Sequence, residues 1–173
     1  IAIIGVVCDT PDDFGVLLLV DIDAGTTIKF TDSGWLASGS FRGSEGGVMY
    51  TAPTNLPAGT VISLVGNASD FTTANDAIIG TNGLALSTSG DQVIAYQGAS
   101  DSPTLLYAVQ SNSTVWQADA TSTTNSALPT GLTNGTTAVS FGVGPNDGDE
   151  YDNISYDFNV QLTSGTPAQL IAE

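Results

Sequence analysis

The apolar positions of this chain fall in short, closely spaced runs. Residues 1–8 (IAIIGVVC) and 14–22 (FGVLLLVDI) are almost continuously apolar, the pattern of strands buried on both faces. Residues 26–31 (TTIKFT) alternate, which predicts Ile28 and Phe30 inward and Lys29 outward. Further strand-like runs follow at 48–52 (VMYTA), 61–65 (VISLV), 84–87 (LALS), 92–97 (QVIAYQ), 105–110 (LLYAVQ), 137–142 (TAVSFG) and 154–162 (ISYDFNVQL). Turn-forming residues fill the gaps, as in Thr10-Pro11-Asp12, Asp32-Ser33-Gly34 and Ser89-Gly90-Asp91. About ten short strands at this spacing predict an all-β sandwich, and the length suits a single domain over 1–173. One short helical turn is expected within 69–79, with Asp70 as its cap. The polar stretch 111–135 carries Trp116 and predicts an ordered excursion over one face of the sandwich. Trp35 follows a glycine turn, so its ring is expected to fold back as a core plug.

Composition narrows the functional classes. Charged residues are only 12% of the chain, about half the usual share, while 41% are hydrophobic. A packed domain follows, since disorder needs the opposite balance. Eighteen acids face only Lys29 and Arg42, for a net charge of -16. Nucleic acid and anionic membranes would be repelled, and divalent cations attracted. No run reaches the length of a membrane span, so insertion is not expected. The absence of histidine removes imidazole metal sites and His-dependent triads. Cys8 is the only cysteine, so no intrachain disulfide forms, and a buried inert thiol is expected. The chain opens on a strand without an initiator Met, which predicts a processed mature N-terminus and an extracellular or cell-surface setting.

Three segments then acquire a meaning as a set. The first is 1–35, with the motifs Asp12-Asp13-Phe14 between two apolar strands, Ala24-Gly25-Thr26 and Phe30-Thr31-Asp32-Ser33-Gly34-Trp35; the second is Leu56-Pro57-Ala58-Gly59-Thr60 leading into 61–65; the third is Leu84-Ala85-Leu86 followed by the motif Ser89-Gly90-Asp91-Gln92-Val93 running into Ala95-Tyr96-Gln97-Gly98. Their order resembles the lamin-tail-like domains, an immunoglobulin-like sandwich family that also occurs in bacterial secreted proteins. It is similar too to an uncharacterised bacterial secreted or surface module. The likeness covers roughly the first two thirds of the chain. It implies an immunoglobulin-like β-sandwich outside the cell and no established catalytic residues.

Candidate chemistry is mostly acidic. Asp147, Asp149, Glu150 and Asp152 crowd one loop whose composition suits calcium, although its spacing departs from the EF-hand. A solvated acidic loop is the alternative. Asp13, beside Asp9 and Asp12, could join a second cation site, with turn formation as the competing explanation. Trp116 and Tyr107 could offer aromatic faces to a sugar ring. Ile1, Ile3, Ile4 and Val6 form an apolar strand that could add to a neighbouring subunit's sheet, or lie in its own. An acid-pair glycoside hydrolase is conceivable, but nothing in the sequence singles out a pair. The expectation is therefore a non-catalytic extracellular structural protein, the self-assembling subunit of a filament, sheath or surface layer, stabilised by calcium. The alternative is an adhesion or carbohydrate-binding module of a larger secreted protein.

Overall fold

The computed structural model describes residues 1–74, 76, 78–141 and 153–155, and the acidic loop lies outside them. Two sheets face each other. The first holds β1 (Ala2–Val7), β2 (Asp13–Leu17), β5 (Val61–Ser63) and β10 (Asn153–Ser155), in the order β10-β1-β2-β5 and antiparallel throughout. The second holds β3 (Thr27–Thr31), β4 (Gly47–Thr51), β6 (Phe71–Thr73), β7 (Gln92–Gln97), β8 (Thr104–Gln110) and β9 (Ala138–Ser140). Its order is β6-β4-β3-β7-β8-β9, antiparallel except for the parallel pair β8 and β9. The chain is an all-β sandwich, as its hydrophobic pattern predicts.

The inward residues of both sheets meet in one core. Phe14 and Phe30 sit at its centre, ring centroids 4.6 Å apart, with Phe71 edge-on to Phe14 at 5.9 Å. Each such buried ring contributes on the order of 2–3 kcal/mol over an exposed one. A second cluster lies on the other side of the six-stranded sheet, formed by Trp35, Phe41, Ile79, Ile94, Tyr96 and Ala108. The six-stranded sheet is thus buried on both faces. This explains the unbroken burial along β7, where Val93 and Ala95 face the inter-sheet core while Ile94 and Tyr96 face the outer cluster.

Loops build that outer layer. Trp35 is buried there and stacks edge-on against Phe41 at 5.0 Å. The excursion after β8 is tied to it: the Trp35 backbone N–H donates to Ser126 Oγ at 2.8 Å, and its indole Nε1–H to Thr130 Oγ1 at 3.0 Å. Gly34 allows the approach, because a Cβ there would stand 2.3 Å from the carbonyl oxygen of Asn125.

Three local expectations change. Residues 84–87 form no strand, although Leu84 and Leu86 pack on the inter-sheet core. The expected helical turn is a single 3₁₀ turn, Ala68–Asp70, with Asn67 rather than Asp70 in the N-cap position and no side-chain cap hydrogen bond. Phe71–Thr73 after it extends instead and pairs with β4, as its two β-branched threonines favour.

Candidate functional site

Three of the sequence motifs, those holding Asp12, Asp32 and Asp91, converge at one end of the sandwich. Asp12 lies just before β2, Asp32 just after β3 and Asp91 just before β7. The antiparallel pairing of Thr31 with Ile94 brings the last two of these strand ends together. Each aspartate accepts a hydrogen bond from one of three successive backbone N–H groups. Ala85 donates to Asp32 Oδ2 at 2.9 Å, Leu86 to Asp12 Oδ2 at 2.8 Å, and Ser87 to Asp91 Oδ2 at 2.8 Å. This clamp takes the N–H groups that a ladder would need, which is why an apolar run at 84–87 is not a strand. Asp32 and Asp91 use their other oxygens as well: Asp32 Oδ1 accepts from Gly46 at 3.1 Å and Asp91 Oδ1 from Gln92 at 2.8 Å.

Behind the clamp is a recess of about 280 Å³. Asp32, Glu45 and Asp91 line it, with Ser44, Asn82 and Ser87. Asp32 and Asp91 are each 3% exposed, and the Glu45 side chain 8%. Burial raises all three carboxyls above their ordinary range, and their mutual repulsion adds to it for Glu45 and Asp91. Asp91 is pushed up to about 8 and Glu45 to about 7. Arg42 lies 3.7 Å from Glu45 Oε2 and opposes the rise. Lys29 is engaged elsewhere, 3.7 Å from Asp76 and 5.7 Å from the centroid of the Tyr96 ring. Glu45 Oε2 accepts no hydrogen bond, although it is buried. Gln92 ties the recess to the excursion, its Nε2 donating to the carbonyls of Asp32 and Thr123. Among the described residues, no three carboxylates or thiols converge closely enough to hold a metal ion.

The residues singled out from sequence are dispersed. Asp147, Asp149, Glu150 and Asp152 lie outside the described residues. Asp13 serves its own turn, with Oδ1 accepting from the N–H groups of Phe14 and Val65 at 2.8 and 3.0 Å. Tyr107 is 5% exposed and packs in the inter-sheet core, so its ring offers no face to a sugar. Trp116 packs on the outer cluster, across the six-stranded sheet from Tyr107, and its indole N–H donates to Asn134 Oδ1 at 3.2 Å. The two rings share no surface. Of the apolar N-terminal strand, Ile3 and Val6 point into the chain's own core, while Ile1 and Ile4 are half-buried. β1 pairs with β2 along its length and with β10 over Gly5–Val7. Glu45 is the site residue that sequence reasoning missed; no local pattern marks it. Asp12, Asp32 and Asp91 had a signal, since each falls inside one of those motifs.

A second surface stands out on the four-stranded sheet. The outer face of the four-stranded sheet carries Leu17 and Val61, directly paired, with Val7 further along and Ile4 leaning over Gly15. Val61 is 52% exposed and Val7 36%. In all four strands Asp13 is the sole charged residue. In comparisons with known proteins, no family model matches the sequence, and no curated protein or solved structure matches it.

Proposed function

We propose that the chain is a non-catalytic, extracellular structural domain of the lamin-tail-like, immunoglobulin-like kind, which assembles with copies of itself through the outer face of its four-stranded sheet. The observation that supports this reading is the separation of charge from that face. Copies carrying -16 each repel almost everywhere, but this face carries a single carboxylate, Asp13, at its end opposite Val7, so two such faces can meet over Leu17 and Val61 with little repulsion. The six-stranded sheet has no comparable face, because loops cover it. Both sides of β1 are occupied over Gly5–Val7, so the contact is face to face rather than by strand addition. Four short strands spaced about 4.8 Å apart give on the order of 300–400 Å² per copy. That is less than half of what a stable dimer buries, so each contact is weak and an array multiplies it. Divalent cations, calcium among them, strengthen assembly by screening the remaining surface. The acidic recess fits a non-catalytic role: Asp32 and Asp91 spend both oxygens on backbone N–H groups.

Sedimentation velocity at rising protein concentration, in low salt, high salt and calcium, tests the reading. Association that salt and calcium promote is expected. Leu17→Asp with Val61→Asp places charge on the face and should leave monomers, whereas Ala99→Asp, on an exposed turn, should not. Monomers under every condition, or undiminished association of the doubly charged variant, refute it.

A further inference from the structure

We propose that Asn82 is a self-modifying residue: its side chain closes onto the Gly83 nitrogen, loses ammonia and leaves aspartate or isoaspartate on the wall of the recess. The reaction needs no enzyme and no cofactor. The Gly83 nitrogen gives up its proton to water and attacks Asn82 Cγ. A cyclic imide forms as the bond from Cγ to the side-chain nitrogen breaks and ammonia departs. Water then opens the ring at either carbonyl. One opening gives aspartate. The other gives isoaspartate, whose main chain runs through Cβ and Cγ.

The sequence offers two places for this chemistry, since Asn-Gly occurs at 82–83 and at 134–135. Glycine favours the ring closure because it has no Cβ to crowd the attacking nitrogen. Both pairs are exposed, and a Cβ built on either glycine would meet nothing within 4 Å. Room for the imide is therefore equal at the two sites.

Hydrogen bonding separates them. The Gly135 N–H donates to the Ala138 carbonyl at 2.9 Å, and Asn134 Oδ1 accepts from the Trp116 indole N–H at 3.2 Å. The first bond holds the proton that must leave, and the second holds the side chain that must swing. Neither restraint exists at 82. Among the described residues, the Gly83 N–H and the Asn82 side chain take part in no hydrogen bond. Breaking two ordinary hydrogen bonds before reaction slows Asn134 by about tenfold or more relative to Asn82.

The product falls between two anchors of the fold. The Asn82 carbonyl accepts from the Gly47 N–H at 3.1 Å, and Ala85, Leu86 and Ser87 donate to the three clamp aspartates. Isoaspartate turns that carbonyl into a free carboxylate and lengthens the main chain just before the clamp. The three N–H groups then fall out of step with their acceptors. Either product also adds a negative charge to a recess already lined by Asp32, Glu45 and Asp91. The clamp therefore loosens as the protein ages.

The test is mass spectrometry of chymotryptic peptides from folded protein held at pH 8 for several weeks, with isoaspartate counted by isoaspartyl methyltransferase. Residue 82 should convert about tenfold or more faster than residue 134, and the two rates should converge in urea. Gly83→Ala, which the open space accommodates, should suppress conversion at 82 and leave 134 unchanged. Urea unfolding of the aged protein should show a loss of stability that grows with isoaspartate content and is absent from equally aged Gly83→Ala. Equal rates in the folded protein, faster conversion at 134, or no conversion at 82 each overturn the site. Full stability in protein carrying isoaspartate at 82 overturns its effect on the clamp. The comparison of rates uses the parent protein alone, so it decides the matter even if Gly83→Ala folds poorly.

Discussion

Replacing Asp91 with Asn is the sharpest probe of the carboxylate clamp, because it separates the hydrogen bonds from the charge. In the folded chain the Asp91 carboxyl is 3% exposed and holds its proton up to about pH 8, against an ordinary value of 3.8. Between those two values the folded state keeps a proton that the unfolded state has released. Stability contributed by this group is complete below about pH 4 and declines as pH rises through about 8. A shift of that size corresponds to about 6 kcal/mol as an upper bound, and relaxation and water entry bring the observed change to about 2–3 kcal/mol. Asn is neutral at every pH, so the variant escapes this decline. It pays instead in hydrogen bonding, since its amide nitrogen must face one of the two N–H donors, Ser87 or Gln92, at a cost of about 1–2 kcal/mol.

The variant should therefore be less stable than the parent at pH 5, with the gap closing or reversing by pH 9. Urea unfolding at pH 5, 7 and 9, read by tryptophan fluorescence, measures both slopes. The window is unusually clean. There is no histidine, ordinary carboxylates are ionised throughout it, and Glu45, raised to about 7, changes in the same direction as Asp91. The Ile1 amine, lowered by burial, adds stability as pH rises and so opposes the trend. It is common to both proteins and cancels in their difference. If Asp91→Asn shows the parent's pH dependence unchanged, the carboxyl is not titrating in this window and the reasoning from burial fails.

Two further substitutions probe the packing around the site. Gly46→Ala would set a methyl 2.2 Å from the Gly83 carbonyl oxygen and 2.8 Å from that of Asn82, both backbone, and should cost about 3 kcal/mol or more. Gly25→Ala meets nothing within 4 Å and bears only the strain of its positive φ of 83°, about 1 kcal/mol, so equal losses in urea unfolding would refute the close-approach argument. Tyr107→Ala should cost about 3–5 kcal/mol because it opens a cavity in the inter-sheet core, whereas Trp116→Ala, at the half-exposed edge of the outer cluster, should cost less than half as much. Thermal unfolding followed by near-ultraviolet circular dichroism measures both, and the reverse ranking would contradict the burial of Tyr107.

The strands were legible because their signal is local. Alternation placed Ile28 and Phe30 in the core, and both are buried there. The near-continuous runs at 1–8 and 14–22 predicted burial on both faces, whereas β2 alternates buried and half-buried residues, and it is β7, read from sequence only as a strand, that is buried on both. The run at 1–8 falls short of it, since Ile4 and Gly5 of β1 are half-buried and Val7 is exposed. An apolar run records how little water a segment tolerates without recording what covers it. The covering of β7 comes from residues such as Phe41 and Ile79, far away in the chain. The same limit explains the miss at 84–87. Its leucines do pack inward, but its backbone donors are taken by three carboxylates that lie 4 to 74 residues away in sequence.

The clamp also changes what the motifs mean. Read singly, Asp12, Asp32 and Asp91 are turn formers, since each sits beside a strand end where aspartate commonly caps its own backbone. Asp91 does cap the next residue, yet its second oxygen, like those of Asp12 and Asp32, reaches outside its turn. Three acids brought into one small volume are expensive, and burial raises the carboxyls of Asp32 and Asp91 accordingly. Asn could take over the single acceptor role of Asp12 Oδ2, but Asp32 and Asp91 each accept two N–H groups, one per oxygen, which an amide with a single oxygen cannot do. The tether thus accounts for buried carboxyls at 32 and 91, with two backbone donors apiece offsetting part of the desolvation that raises them.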